Sequence, residues 1–139
     1  MKIIQKEFQF STSTQIELVN ITKEVKKFVI ASKVSAGLLQ ICSLHSTTAV
    51  IINEDEPSLK KDFIFAQKLL IHYKKFMKLL KHNRLDNNAA AHLSAGIMGS
   101  AATLIIQDSQ PVLGTWQNVF LYELDGPRQR KVRFLVIGE

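Results

Sequence analysis

The sequence predicts an α+β protein with a largely antiparallel sheet. Short apolar segments that resemble strands occupy both ends of the 139-residue chain, and segments with the three-to-four-residue period of helices lie between them. Strands before and after a block of helices are typical of the α+β class. No linker-like tract interrupts the chain, so we expect one domain over residues 1–139.

Four strands are predicted in the first part of the chain. Residues 2–10 and 14–19 alternate apolar and polar side chains imperfectly around a Ser/Thr turn, which indicates two paired strands. The apolar runs 38–44 and 48–52 indicate buried strands. Their junction contains His45, Ser46 and Thr47.

Two amphipathic helices are predicted next to these strands. The first starts at Thr22, whose sequence context is typical of a capped helix start, and ends before Gly37. The second follows an acidic connection, has Pro57 in its first turn and extends to about Leu80. Their expected apolar faces consist of Val25, Phe28, Val29 and Ser32, and of Leu59, Phe63, Ala66, Leu70, Tyr73, Met77 and Leu80.

The opposite face of the second helix is rich in lysine. We interpret it as a solvated face, and His72 on its flank as an ordinary surface residue. Nucleic-acid binding is disfavoured because no aromatic side chains interleave with the lysines to stack on bases. The lysines are Lys60, Lys61, Lys68, Lys74, Lys75 and Lys78.

Residues 82–100 place many polar groups at the front of a short apolar helix. That helix is predicted to begin near Asn87 or Asn88, to run from Ala89 to Met98 and to end at Gly99. Its positive end and free N–H donors suit a phosphate or a carboxylate.

Three strands are predicted to close the chain, at residues 102–107, 116–124 and 131–137, the last two half-buried. A Gly-Pro corner between them contains Arg128 and Arg130, whose planar guanidinium groups suit phosphate. Alternatively, these arginines pair with Glu123 and Asp125 across a hairpin.

Three histidines fall at element ends or in loops, where functional groups usually lie: His45, His82 and His92. Three neutral imidazoles can hold zinc with one coordination position left open, as in catalytic sites. Their spacing matches no short metal motif, so separate histidines that cap or form hydrogen bonds are the alternative. Asp86 could act as a general base or orient a histidine.

The composition of the chain bears on the partners and the compartment of this protein. The formal net charge of +6 would attract polyanions, from nucleic acid to phosphorylated metabolites, although charge alone concerns solubility and steering rather than a specific partner. The single cysteine, Cys42, excludes an internal disulfide framework, and no apolar run is long enough to span a membrane. We therefore expect a cytoplasmic protein.

Three groups of motifs follow one another along the chain: the His-Thr-Thr-Ala-like strand in LHSTTAVIINED (44–55), HNRLDNNAAAHLSAGIMGSAATLII (82–106), and LGTWQ with the GPRQR corner in residues 113–139. In this order they resemble the YjbQ family, also known as UPF0047 and as the secondary thiamine-phosphate synthase family. The resemblance implies a compact fold with sandwich-like sheets, a homotrimer, and a weak activity that joins a hydroxymethylpyrimidine pyrophosphate to a thiazole phosphate.

The resemblance also implies a metal at the three histidines. We therefore hypothesise an enzyme acting on small phosphorylated metabolites with a divalent metal, zinc in the first place. A binding protein for an anionic metabolite, without turnover, is the alternative. The expected site consists of the metal ligands His45, His82 and His92, the catalytic residues His82 and Asp86, and the substrate-binding residues Asn83, Arg128 and Arg130.

Overall fold

A computed structural model describes the backbone of residues 1–139 and every side chain except those of Leu70, Ile71, His72, Lys74 and Lys75. The surface position predicted for His72 therefore lies outside the described side chains. So do the helix faces predicted for Leu70, Lys74 and Lys75.

Two antiparallel sheets confirm the α+β class. The five-stranded sheet has the order β1-β8-β3-β5-β6, and the three-stranded sheet has the order β2-β7-β4. Every pair of neighbouring strands is antiparallel. The strands are β1 (Lys2–Ser11), β2 (Glu17–Asn20), β3 (Ala36–Ser43), β4 (Thr48–Glu54), β5 (Ala101–Gln107), β6 (Gln110–Pro111), β7 (Gln117–Glu123) and β8 (Gln129–Gly138).

The first two strands do not pair with each other, so that prediction is wrong. β1 pairs with β8, from Lys2 opposite Gly138 to Ser11 opposite Gln129, whereas β2 pairs with β7 in the other sheet. Alternation of apolar residues determines which face of a strand is buried but not which strand lies beside it. The ten-residue β1 matches the ten-residue β8, whereas β2 has only four residues.

The main core lies between the two sheets and α1 (Thr22–Ser32), whose buried face is the predicted one. Phe28 of this helix packs edge-on against Phe8 of β1 and Phe134 of β8, with ring centroids 5.9 and 5.7 Å away. The helix start differs in detail: the Oδ1 atom of Asn20 accepts a hydrogen bond from the Thr22 amide. The Thr22 hydroxyl instead accepts a hydrogen bond from the Val119 amide of β7.

The predicted long helix is two helices, α2 (Pro57–His72) and α3 (Lys74–Leu79), separated at Tyr73. Tyr73 has a ψ of 81°, which is outside the helical range, so the extension to Leu80 as one helix is wrong. The start is as predicted, with Pro57 as the first helical residue and the Glu56 carboxylate accepting hydrogen bonds from two amides.

The inward face of α2 also differs from the predicted stripe. Phe63 packs edge-on against Tyr122 of β7, with ring centroids 6.2 Å apart, and its carbonyl accepts a hydrogen bond from the tyrosine hydroxyl. This contact turns Ile64 and Gln67, one residue and one turn further on, towards the protein. Ala66 of the predicted face is exposed instead, as is Tyr73.

Helix α4 (Ala89–Met98) has the predicted limits and ends at Gly99, which has a φ of 94°. It packs with α2 against the outer face of the three-stranded sheet, forming a second apolar cluster that includes Ala91, Ala95 and Tyr122 of β7. β7 is therefore buried on both faces, rather than on one as predicted. In the chain as described, no helix is both long and apolar enough to cross a membrane.

Candidate functional site

Three distant segments of the chain meet around one cavity of about 500 Å³. They are the loop between β3 and β4, the start of α4, and the corner between β7 and β8. We call this space the site cavity. Its lining includes three residues from the loop (His45, Ser46, Thr47), two from α4 and its cap (Asn88, His92) and four from the corner (Asp125, Arg128, Gln129, Arg130).

A buried ion pair forms the base of the corner. Glu123 is 0% exposed and Arg130 is 3% exposed. The Nε atom of Arg130 donates to one carboxylate oxygen at 2.6 Å, and its Nη2 atom donates to the other oxygen and to the Thr47 hydroxyl. Burial alone would raise the pKa of Glu123, but hydrogen bonds from Arg130, the Asp125 amide and Thr12 hold that pKa below its usual value.

Thr12 is part of this network, although no pattern in the sequence indicates it. Its hydroxyl donates to Glu123 at 2.9 Å and accepts from the Arg128 amide at 2.8 Å. Gly126 lies against the same groups, because a Cβ atom there would come within 2.8 Å of the Thr12 hydroxyl and 2.7 Å of the Glu123 side chain. The predicted Gly-Pro corner is thus required for a close approach of chain segments.

Arg128 differs from Arg130 in being 55% exposed. It donates from Nε to the Asp125 carbonyl at 2.8 Å and from Nη2 to the Asp125 carboxylate at 3.1 Å. Its Nη1 atom has no partner among the described residues. Both arginines therefore form the carboxylate pairs considered for the hairpin, and Arg128 keeps donors available at the cavity.

His82 and His92 are in contact, as their common segment suggested. Their rings are 4.8 Å apart and nearly perpendicular. Asn88 connects His82 to the corner: its Nδ2 atom donates to Asp125, and its Oδ1 atom lies 3.0 Å from Nε2 of His82. Because an amide oxygen only accepts hydrogen bonds, this arrangement assigns the proton of neutral His82 to Nε2.

Only one of the two contacting histidines reaches the cavity. His92 is among the residues that line it, and its ring nitrogens have no hydrogen-bond partner within the described part of the chain. His82 lies behind His92 and is not among those lining residues. Asp86, predicted to work with His82, is 69% exposed, and its carboxylate is 4.0 Å from Nε2 of His82.

Asn83 has a structural position at the start of α4. Its Oδ1 atom accepts from the Ala89 amide, and its Nδ2 atom donates to the Met77 carbonyl, both at 2.9 Å. Asn83 thus satisfies the free helical N–H group that Asn87 or Asn88 was expected to cap. It is not among the residues lining the site cavity, where the sequence placed it as a substrate-binding residue.

His45 is fixed by the backbone of β8. Its Nε2 atom accepts a hydrogen bond from the Lys131 amide at 2.8 Å, so the neutral ring has its proton on Nδ1. Partial burial and the nearby charges of Arg130, Lys131 and Arg128 lower the pKa of His45. The neutral ring therefore predominates at pH 7.

The three histidines in this arrangement do not fit a zinc site. Zinc binds imidazole through a nitrogen lone pair, and His45 already uses its lone pair to accept the Lys131 amide. Among the described side chains, no group of three His, Cys, Asp or Glu residues could hold a metal ion. Coordination by all three rings would require His45 to turn away from β8.

Fold and site together define a class of small α+β proteins with a polar, arginine- and histidine-lined cavity at one edge of a two-sheet core. Comparison with known proteins gives the family. A family model described as UPF0047 protein YjbQ-like matches residues 6–139. The chain belongs to this family.

Relatives and solved structures agree with that assignment. A UPF0047 protein of Methanothermobacter thermautotrophicus is 37% identical over 139 residues, covering 100% of this chain and 95% of the relative. The UPF0047 protein YugU of Bacillus subtilis is 31% identical, covering 96% and 98%. A crystal structure of a YbjQ-like protein of unknown function from Sulfolobus solfataricus superposes with a TM-score of 0.93 at 37% identity, covering 99% of both chains.

Proposed function

We propose that this protein is an enzyme that acts on a small phosphorylated metabolite bound in the site cavity. The observation that supports this most is the set of available donors around one small space: Nη1 of Arg128 and the hydroxyls of Ser46 and Thr47. The volume of about 500 Å³ suits a small metabolite. Because Asp125 holds the guanidinium group of Arg128 in place, little entropy is lost when Arg128 binds a phosphate.

The histidines provide the chemistry in this proposal. His92 faces the cavity with no hydrogen bond from a described residue, so its ring can take up or release a proton next to the bound phosphate. Neutral His45, with its proton on Nδ1, acts as a hydrogen-bond donor. His82 is a positioning residue that holds the His92 ring by its edge-on contact.

Thiamine-phosphate synthesis is one reaction that this site could support. The pyrimidine methylene would form a bond to the thiazole nitrogen while its bond to pyrophosphate breaks, and Arg128 would stabilise the departing anion. We propose this as a weak activity, tested by supplying hydroxymethylpyrimidine pyrophosphate and thiazole phosphate and measuring thiamine phosphate. No product above the uncatalysed background would contradict it.

Binding of phosphate tests the main proposal. Replacing Arg128 by Met should weaken the binding of inorganic phosphate about tenfold or more, as measured by calorimetry, because a charge-assisted hydrogen bond is lost. Arg133→Met is the matched control: Arg133 is 49% exposed and paired with Glu7, but does not line the cavity. Equal weakening in both variants would indicate a general charge effect and contradict the proposed site.

The second candidate function is a binding protein that does not convert its ligand. Measurement of turnover distinguishes this binding protein from the proposed enzyme. That candidate is favoured by the same donors around the cavity, which need no histidine chemistry. Purified protein should convert at least one compound in a screen of phosphorylated metabolites, and His92→Ala should abolish that conversion while phosphate still binds. Binding without any conversion would support the second candidate instead.

A zinc ion held by His45, His82 and His92 is a separate proposal. This proposal requires His45 to break its hydrogen bond with the Lys131 amide. The contact between the rings of His82 and His92 is the observation that supports the proposal. Metal analysis should then find one zinc per chain, lost in His92→Ala; equal metal content in both proteins would contradict this proposal.

The homotrimer and the cytoplasmic location are likewise proposals. The sequence has one cysteine, Cys42, and hence no internal disulfide framework of the kind common in secreted proteins, which supports the proposed location.

A further inference from the structure

A second cavity, of about 530 Å³, lies next to the site cavity, and His45 and His92 separate the two. It shares His45, Ser46 and His92 with the site cavity. We call it the serine lobe. Its own lining consists mainly of small residues from β3, β4 and the end of α4, including Ser43, Thr48, Ala95, Gly96 and Ser100.

The two spaces differ in chemistry. The site cavity contains two arginines and an aspartate, whereas the serine lobe is lined by no Asp, Glu, Lys or Arg among the described residues. Apart from the shared His45 and His92, its polar side chains carry hydroxyl groups. The hydroxyls of Ser43 and Thr48 form a hydrogen bond with each other, and the Ser43 hydroxyl also accepts a hydrogen bond from the His45 amide. Such a lining matches an uncharged group that forms hydrogen bonds.

We infer that the ligand of the proposed site has two parts, a phosphate in the site cavity and a compact, uncharged, hydroxyl-bearing body in the serine lobe. This inference rests on the proposed function. His45 and His92 lie at the boundary of the two spaces, so His92 is placed beside the bond that joins the two parts.

Gly96 lines the serine lobe at an exposed position of α4. It lies inside α4, where a glycine makes the helix less stable than an alanine would. Its fold environment gives no steric reason for glycine, because a Cβ atom there would meet nothing within 4 Å, and its φ is not positive. Because Gly96 lines the lobe, we expect a large side chain at this position to reduce the space of the lobe. We therefore assign Gly96 a role in ligand specificity.

Substitution of Gly96 tests the inference. The probes are inorganic phosphate, which needs only the site cavity, and three phosphate monoesters of increasing size: glycerol 3-phosphate, ribose 5-phosphate and glucose 6-phosphate. At least one monoester should bind the natural protein about tenfold more tightly than inorganic phosphate does. Gly96→Leu should remove that advantage and leave phosphate affinity unchanged, whereas Gly96→Ala should retain most of it.

Each alternative result has a distinct meaning. If no monoester binds more tightly than phosphate, or if Gly96→Leu weakens phosphate and monoester equally, the two-part ligand is wrong. A change of molecular mass in Gly96→Leu would show that the glycine serves packing between copies of the chain, which also contradicts the inference. Failure of inorganic phosphate to bind the natural protein would contradict the proposed function itself, and the inference with it.

Discussion

Arg130 lines the site cavity, yet its guanidinium is almost fully buried and its charge is matched by Glu123. A buried carboxylate is unfavourable unless it is paired and hydrogen-bonded, and Glu123 accepts from Arg130, from Thr12 and from the amides of Leu124 and Asp125. At the residue scale, this pair fixes the corner on which Arg128 is presented.

Removing one partner of this pair should be strongly destabilising. We expect Arg130→Met to lower the free energy of unfolding by about 3–5 kcal/mol, since Glu123 would remain buried without its counter-charge. Urea denaturation measures the change. Arg128→Met is the control: its exposed pair should contribute no more than about 1 kcal/mol. Similar losses in the two variants would contradict the structural role given to Arg130.

At the scale of single elements, the helix starts are fixed by different devices. Helix α4 begins where Asn83, six residues before Ala89, accepts its first free amide, which leaves Asn88 to bridge His82 and Asp125. Helix α2 begins where the Glu56 carboxylate accepts hydrogen bonds from the amides of Ser58 and Leu59, with N–O distances of 2.8 and 2.6 Å. Because Asn83 accepts the first amide of α4, the side chain of Asn88 is available to the site. In α2, by contrast, the residue directly before the helix supplies the cap.

The cap of α2 gives a prediction at this scale. Glu56→Ala should lower the free energy of unfolding, because two helical amides lose their acceptor. Thermal or urea denaturation measures the loss. Glu54→Ala, an exposed acidic residue two positions earlier, should change stability by less than about 0.5 kcal/mol. Equal effects would indicate that general helix-dipole charge, rather than capping, stabilises α2.

At the scale of the whole molecule, the five-stranded sheet has an apolar row on its outer face. Ile3, Ile137, Leu38 and Ile105 are successive cross-strand neighbours on β1, β8, β3 and β5. Cross-strand neighbours point to the same face of a sheet, and all four side chains are between 39% and 67% exposed. A row of this kind is typical of an interface with another protein chain.

We expect this row to hold copies of the chain together in the proposed homotrimer. Leu38→Glu, in the middle of the row, should lower the mass measured by sedimentation at micromolar concentration towards that of one chain. Gln9→Glu adds the same charge on an exposed position of β1 outside the row and should leave the mass unchanged. A natural protein that sediments as a single chain, or a Leu38→Glu variant with unaltered mass, would contradict this expectation.

Acid should destabilise the whole fold. Hydrogen bonds hold the pKa values of Asp55, Glu56 and Glu123 below their usual 3.8, 4.5 and 4.5. The unfolded chain therefore takes up protons at higher pH than the folded chain. The resulting stability is present above these usual values and is lost as pH falls through the lower, folded-state values. Urea denaturation between pH 7 and 3 should show this loss, and a profile that stays flat would contradict it.

Local signals in the sequence determined much of the fold and named most of the cavity lining. The end of α4 follows from Gly99 and the start of α2 follows from Pro57, because such start and stop signals act within one helical turn. The motifs also identified His45, His92, Arg128 and Arg130, all of which line the cavity.

Only the tertiary structure decided which of these groups work together. It brings Thr12 to Glu123 across 111 positions and His45 to the Lys131 amide across 86 positions. It also pairs β1 with β8 rather than with β2. No local pattern encodes such contacts, because they depend on which strands become neighbours when the two sheets bury their apolar faces against each other.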